Sequence, residues 1–263
     1  MPSTQEERIV QASALYKEGL TAFRAGDQAR SSELNQEVLS IGREIKDSAT
    51  IVRGLIGLAR IAFREKDHPT VRSLCAEAGP LWEKLDDRSQ VTSPTHLLAE
   101  SARLEGDIPR ARTLYDRSIV YSEEAGDVRM HALELNNKAF LEIQAGNIDE
   151  AEELVRASVR RLQDEAAQVA RPTDGAYCLL ALGWIAARRG EGDRAASLLA
   201  ASETILAAND AIFDPADKPL FDQGCALARD QLGEAQFLAA WERGSSMGAS
   251  QALATGIEGR EPR

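Results

Sequence analysis

The chain has 263 residues, with 31 Lys and Arg against 42 Asp and Glu, a formal net charge of −11. That length holds one large domain or two small ones, and the negative balance excludes general nucleic-acid binding, which needs a basic field to release counterions from phosphate. Apolar residues make up 43% and charged residues 28%, a globular rather than a disordered balance; 5% aromatic residues among many Ala and Leu favours helices over sheets.

The first residues, Met1 to Arg8, carry no basic-then-apolar leader pattern. The longest uncharged apolar run near the middle, Gly175 to Ala187, is shorter than the roughly 20 residues a membrane span needs. Cys75, Cys178 and Cys225 are widely separated and odd in number, and no pair has metal-ligand or redox spacing. These signals predict a cytoplasmic protein with reduced core cysteines and no membrane partner.

In chain order, one short pattern recurs. Ala22-Phe23-Arg24-Ala25-Gly26-Asp27 is followed forty residues on by Ala62-Phe63-Arg64-Glu65-Lys66-Asp67, and forty further by Ala102-Arg103-Leu104-Glu105-Gly106-Asp107. Gln144-Ala145-Gly146-Asn147 continues the series after forty more, and Arg188-Arg189-Gly190-Glu191 gives a fifth copy after 44 residues. Each copy is a helix stop and a helix start, with Gly at the left-handed position and Asp or Asn placed to cap the next helix. Seven residues before each turn position stands a small residue: Gly19, Ala59, Ala99, Ala139, Gly183. Eight residues after it stands leucine: Leu34, Leu74, Leu114, Leu154, Leu198. A third column, Ser31, Val71, Ala111, Ala151 and Ala195, is small or medium. Small residues let helices approach closely and leucine fills the space between hairpins, so Leu114 and Leu154 are expected in the core and Ala139 at a close helix contact.

The spacing predicts five helical hairpins. The first helices (A) are expected at 5–25, 48–65, 94–105, 127–145 and 174–189, the second (B) at 28–46, 69–86, 109–125, 148–168 and 193–208. The repeats then occupy about 5–46, 47–86, 89–125, 127–168 and 173–208, within a repeat region 1–210. Pro80 lies inside the second B helix and is expected to kink or split it; 86–94 is polar and expected to loop. Beyond it, 217–232, 234–243 and 249–255 are expected as capping helices within 211–257, since stacked repeats need a polar outer cover. Residues 258–263 are expected to be a disordered tail.

With its small A-helix residue, Gly-Asp turn and small residue early in helix B, the chain resembles tetratricopeptide (TPR) repeat proteins. The period of 40 rather than 34 makes its helices longer. Only Ala181-Leu182-Gly183-Trp184 keeps a Leu-Gly pair at the helix A site. Longer repeats of this kind resemble the C-terminal region of MalT-like and LuxR-type regulators of the STAND ATPase class. Leu232-Gly233-Glu234-Ala235-Gln236-Phe237, Ala239-Ala240-Trp241-Glu242-Arg243-Gly244 and Ser250-Gln251-Ala252-Leu253-Ala254 are similar to the "LGEAAF…AWAEG" and "EEAVALAL" segments that close those proteins. The resemblance implies an all-α, right-handed superhelix (an α-solenoid) of five hairpins with capping helices. It also implies a non-catalytic sensor or scaffold of a bacterial transcriptional regulator that binds a protein, a peptide or an anionic small ligand; an oligomer is compatible with it. The alternative is a stand-alone TPR adaptor for protein–protein assembly. A phosphate loop for the ATPase would need Gly-Lys, a dipeptide the chain lacks.

In the resembled repeats, helix A lines the concave groove, and the matching positions here include Tyr16 and Phe23 and the candidate groove residues Arg24, Arg60, Arg64, His96, Arg103, Phe140, Trp184 and Arg188. Asn136 or Asn137 is the expected holder of a peptide backbone. Planar guanidiniums interleaved with aromatics suit a carboxylate-bearing ligand; the competing reading is that these arginines neutralise nearby carboxylates and the aromatics pack between repeats.

Other motifs are weaker. Gly244-Ser245-Ser246-Met247-Gly248 matches G-x-S-x-G, but no histidine follows it and a helix is expected before it. Gly190-Glu191-Gly192-Asp193-Arg194-Ala195 matches G-x-G-x-x-A, but it sits at a helix-hairpin turn rather than after a strand. His96 with Glu100 and His131 with Glu134 have metal-compatible spacing but no further ligands in sequence. The expectation is therefore no enzyme, no metal and no cofactor.

Overall fold

A computed structural model describes residues 4–85, 93–163, 171–214 and 217–257. The described residues form thirteen helices and no strand, and none of the helices is long and apolar enough to cross a membrane. The chain divides into two compact units, 1–126 and 127–263.

The first unit holds α1 (Gln5–Arg24), α2 (Gln28–Ile45), α3 (Ser48–Arg64), α4 (His68–Trp82), α5 (Pro94–Leu104) and α6 (Ile108–Glu124). Consecutive helices pack against each other in pairs, and α3 also touches α1 and α5. The second unit holds α7 (Val128–Ala145), α8 (Ile148–Gln163), α9 (Pro172–Arg188), α10 (Gly192–Ala207), α11 (Lys218–Leu232), α12 (Glu234–Ser245) and α13 (Ala249–Ile257). The three C-terminal helices belong to this unit, where α9 and α10 carry most of their contacts.

The A helices begin and end within two residues of the expected spans, and B helices α2, α6 and α10 within one. The helix α4 is shorter than expected: it passes through Pro80 unbroken and ends two residues later at Trp82. Proline lacks the N–H for the next helical bond and crowds the carbonyl one turn back, so little helix follows it. The expected end of the fourth B helix (164–168), most of the 86–94 loop and the 258–263 tail lie outside the described residues.

The five turns share one geometry. The residue after the turn position donates its N–H to the carbonyl five back: Asp27 to Ala22, Asp67 to Ala62, Asp107 to Ala102, Asn147 to Glu142 and Glu191 to Ala186, at 2.8–3.0 Å. Gly26, Gly106, Gly146 and Gly190 occupy positive φ, and Lys66 takes the same left-handed conformation at φ 61°. Asp27, Asp67 and Asp107 then accept from the backbone N–H three residues on, capping α2, α4 and α6.

The small columns are core: Ala59, Ala99 and Ala139, and Ser31, Val71, Ala111, Ala151 and Ala195, are essentially inaccessible. The leucine column needs a correction. Leu34 and Leu198 are fully buried, but Leu74, Leu114 and Leu154 are only half-buried. In those three the next position is the deeper one, Cys75, Tyr115 and Val155, and Asn35 and Leu199 are buried beside Leu34 and Leu198. One residue is a 100° step around a helix, and in those three the B-helix stripe is centred one step later than the leucines suggest.

Close backbone approach sets the first unit's packing. A Cβ on Gly54 would lie 2.8 Å from the Leu39 backbone, and one on Gly57 only 1.8 Å from Asn35 Oδ1. Such contacts are sterically excluded, so α2 and α3 meet where side chains are absent.

Candidate partner-binding face

In the first unit, neighbouring A helices bring four expected residues together. Arg60 on α3 donates to the Tyr16 hydroxyl on α1 at 3.1 Å. Arg64 donates to the Phe23 carbonyl at 2.6 Å, with its guanidinium carbon 3.7 Å from the Phe23 ring centroid. All four side chains are half-buried, so they form a surface rather than a core. The helix α3 carries Arg53, Arg60 and Arg64 and no carboxylate, and these three positions share one helical face. Arg24, at the end of α1, is exposed.

Arg103 belongs to a different environment. It is 7% exposed and holds Glu100 at 2.8 Å, and Tyr115 donates to the other Glu100 oxygen. Burial alone would raise the Glu100 carboxyl; the charges of Arg103 and His96 and the bonds from Arg103 and Tyr115 outweigh it and hold the group below the ordinary carboxylate range. Arg103 therefore serves a buried ion pair, a correction to its place in an open arginine stripe. His96, on the same helix, is half-buried. Sequence reading did not single out Tyr115, and the i,i+3 pair Glu100 and Arg103 was the available signal.

In the second unit the expected residues are mostly interior. Phe140 and Trp184 belong to the main apolar cluster, at 3% and 6% exposure. Asn136 is buried and its Oδ1 has no hydrogen-bond partner among the described residues; Asn137 is half-buried. Trp184 is covered by α11, since a Cβ on Gly224 would lie 3.5 Å from its Cδ1. Arg188 is exposed, its guanidinium carbon 5.1 Å from the Trp184 ring centroid. Of the aromatics expected to line a groove here, Phe140 is buried in the apolar cluster and Trp184 packs under α11.

No described group of three or more His, Cys, Asp or Glu side chains is arranged to hold a metal ion. His131 and Glu134 are buried on α7. Burial pushes the Cys75, Cys178 and Cys225 thiols up to about 12, which leaves them protonated and inert. Ser245 and Ser246 end α12, with helices on both sides, so the G-x-S-x-G match lacks the strand a nucleophile elbow uses. Gly190 to Ala195 is the α9–α10 turn and the start of α10.

Among solved structures, the chain is similar to BtubC (BKLC) from P. vanneervenii. The TM-score is 0.53 at 20% identity, over 99% of this chain and 95% of that one. The likeness is one of all-helical fold. No family model matches the chain, and no curated protein matches it significantly.

Proposed function

We propose that the protein is a non-catalytic helical-repeat binding module of the TPR kind. In this reading it is the sensor or scaffold part of a bacterial regulator and takes a protein or peptide partner on the surface of its A helices. The observation that carries the proposal is the meeting of Tyr16 and Phe23 on α1 with Arg60 and Arg64 on α3. Aromatic rings and planar guanidiniums, half-buried together, are the side chains most enriched at the energetic centres of interfaces. The recurring turn geometry and buried small columns support the repeat reading, and a stacked array of hairpins serves most often as an extended recognition surface.

The test is native mass spectrometry of the protein isolated from its own host, beside a Tyr16→Ala, Phe23→Ala variant. A partner retained by the first and lost by the second, with helical circular dichroism unchanged, is the expected result. Equal retention by both would move the working surface elsewhere, and no retained partner together with a turnover activity would overturn the proposal.

A further inference from the structure

The last helix, α13, lies on a face of α9 that the A-helix surface does not use. Gly175, Leu179 and Leu182 share that face, roughly opposite Tyr177 and Trp184 around the helix. A Cβ on Gly256 would lie 2.9 Å from Leu182 Cδ1 and 3.6 Å from both Leu179 Cδ2 and Leu198 Cδ2; one on Gly175 would lie 3.0 Å from Leu253 Cδ1. Ala252 is wholly buried, while Ser250, Gln251 and Thr255 face water. Two arginines from other helices close the end. Arg194 on α10 donates to the Gly256 carbonyl at 2.7 Å, and Arg156 on α8 donates to the Ile257 carbonyl.

We propose that α13 is a releasable strap, and that the face it covers on α8, α9 and α10 also accepts a partner helix of the same pattern. That pattern is small residues four apart, one leucine between them, and a C-terminal end presented to Arg156 and Arg194.

Three features carry this. First, α13 has nine residues, and helices shorter than about 12–15 residues are marginal without tertiary support. It can therefore open while the longer hairpins stay folded, as weakly held segments do. Second, the latch reads backbone. The last carbonyls of any helix lack partners in their own helix, so two guanidiniums aimed at them recognise a helix end rather than a particular sequence. Third, the arginines are held in place by groups outside α13: Arg156 binds Glu152 at 2.8 Å and Arg194 binds Glu191 at 2.8 Å. Glu152 is in turn bound by Arg189. The receiving face therefore keeps its latch when the strap leaves. Because the face belongs to the second unit and the Tyr16, Phe23, Arg60 and Arg64 cluster to the first, this proposal and the proposed function fail separately.

The experiment uses the full chain. Ala252→Asp places a carboxylate at a wholly buried contact and should release α13. Hydrogen exchange of the α13 amides should then rise more than tenfold, with α9 and α10 unchanged. A labelled peptide of residues 245–257 should bind this variant saturably and bind the unaltered chain at least tenfold more weakly, because the tethered strap competes at an effective concentration on the order of millimolar. A released α13 without peptide binding, or equal binding by both chains, would overturn the proposal. So would exchange in α9 and α10 rising together with α13, because α13 would then be a fixed part of the core. If Ala252→Asp loses its helical circular dichroism, Arg156→Gln with Arg194→Gln reads the same opening. Faster α13 exchange supports the strap, and unchanged exchange overturns it.

Discussion

The helices α3 and α9 hold equivalent places as the first helix of a hairpin and have 17 residues each, yet their sequences follow different rules. In the first unit, α3 is striped, with Val52, Leu55, Ile56 and Ala59 buried and Arg53, Arg60 and Arg64 along a half-buried side. In the second unit, α9 is buried from Asp174 to Ala187 at every position but Tyr177. The difference follows from neighbours. The principal neighbours of α3 are α2 and α4, with lesser contacts to α1 and α5, whereas α9 is packed by α7, α8, α10, α11 and α13. A helix covered on every side has no stripe to keep polar, so its sequence becomes continuously apolar. The same hairpin thus offers a surface in one unit and a centre in the other.

The strongest test of that contrast is charge. Glu100 in the first unit is 8% exposed and tied to Arg103 and Tyr115. Glu100→Gln removes the buried carboxylate that Arg103 and Tyr115 hold and should cost about 3–5 kcal/mol in denaturant unfolding at neutral pH. A cost below about 1 kcal/mol would mean that water reaches the pair. Glu152 in the second unit is also held below the ordinary range: burial would raise it, and Arg189 and Arg156 overcome that. Both folded carboxyls titrate below their unfolded value of about 4.3. Their contribution is therefore present above that pH and lost as pH falls through the folded values. A pH series should show stability falling on the acid side, with the slope reduced in Glu100→Gln.

Core truncation comes next. On α9, Leu179 and Leu182 share the face under α13 and Leu180 lies on another side, yet Leu179→Ala, Leu180→Ala and Leu182→Ala should each cost about 2–5 kcal/mol. On α3 the cost should depend on the face: Leu55→Ala in that same range, and half-buried Leu58→Ala about 1 kcal/mol. A tolerant face on α9 would break the distinction between the two helices.

Helix crossings give a smaller effect of the same kind. Gly54→Ala forces a methyl to within 2.8 Å of the Leu39 backbone, whereas Gly183→Ala meets chiefly the movable Leu199 side chain, also at 2.8 Å. The first should destabilise by about 1–3 kcal/mol through overpacking. The second should cost less, because a side chain can shift where a backbone cannot and alanine regains up to about 1 kcal/mol of helix propensity over glycine. Equal effects would show that both crossings relax alike.

The helix count and spans were legible because turn signals and small columns recur at fixed spacing, and short-range rules decide both. Depth was less legible. The leucine column stood out by identity, yet beside Leu74, Leu114 and Leu154 the deeper residues are Cys75, Tyr115 and Val155, which share no chemistry and so leave no pattern to read. The candidate face was legible only in part. Tyr16, Phe23, Arg60 and Arg64 meet as their register suggests. Register says nothing of what covers a helix, however, and Trp184, in an equivalent position, lies beneath α11. Arg103 turns on a partner in its own helix, Glu100, whose burial only tertiary structure creates.

The finest contrast between the units lies in one methylene at a turn. Asp27 and Asp107 in the first unit have φ near −80° and ψ of 80° and 72°, and each accepts from the N–H three residues on, at 3.0 and 3.2 Å. In the second unit Glu191 stands at the same place, with φ −90° and ψ 56°, and makes the same backbone bond to the carbonyl five residues back. Its side chain makes no cap, because the longer chain carries its carboxylate past the N–H groups to Arg194 at 2.8 Å. Glu191→Asp should install the missing cap and stabilise the protein by about 0.5–2 kcal/mol, the usual worth of an N-cap. The ion pair it gives up is partly exposed, and such pairs contribute about 1 kcal/mol at most. Asp107→Ala should lose a comparable amount in the opposite direction. Denaturant midpoints of the two variants decide the point. A rise for Glu191→Asp matched by a fall for Asp107→Ala would show that the turns are interchangeable in energy as well as in shape. A fall for both would mean that Arg194, which Glu191 helps to hold against the end of α13, matters more to the second unit than a capped helix does.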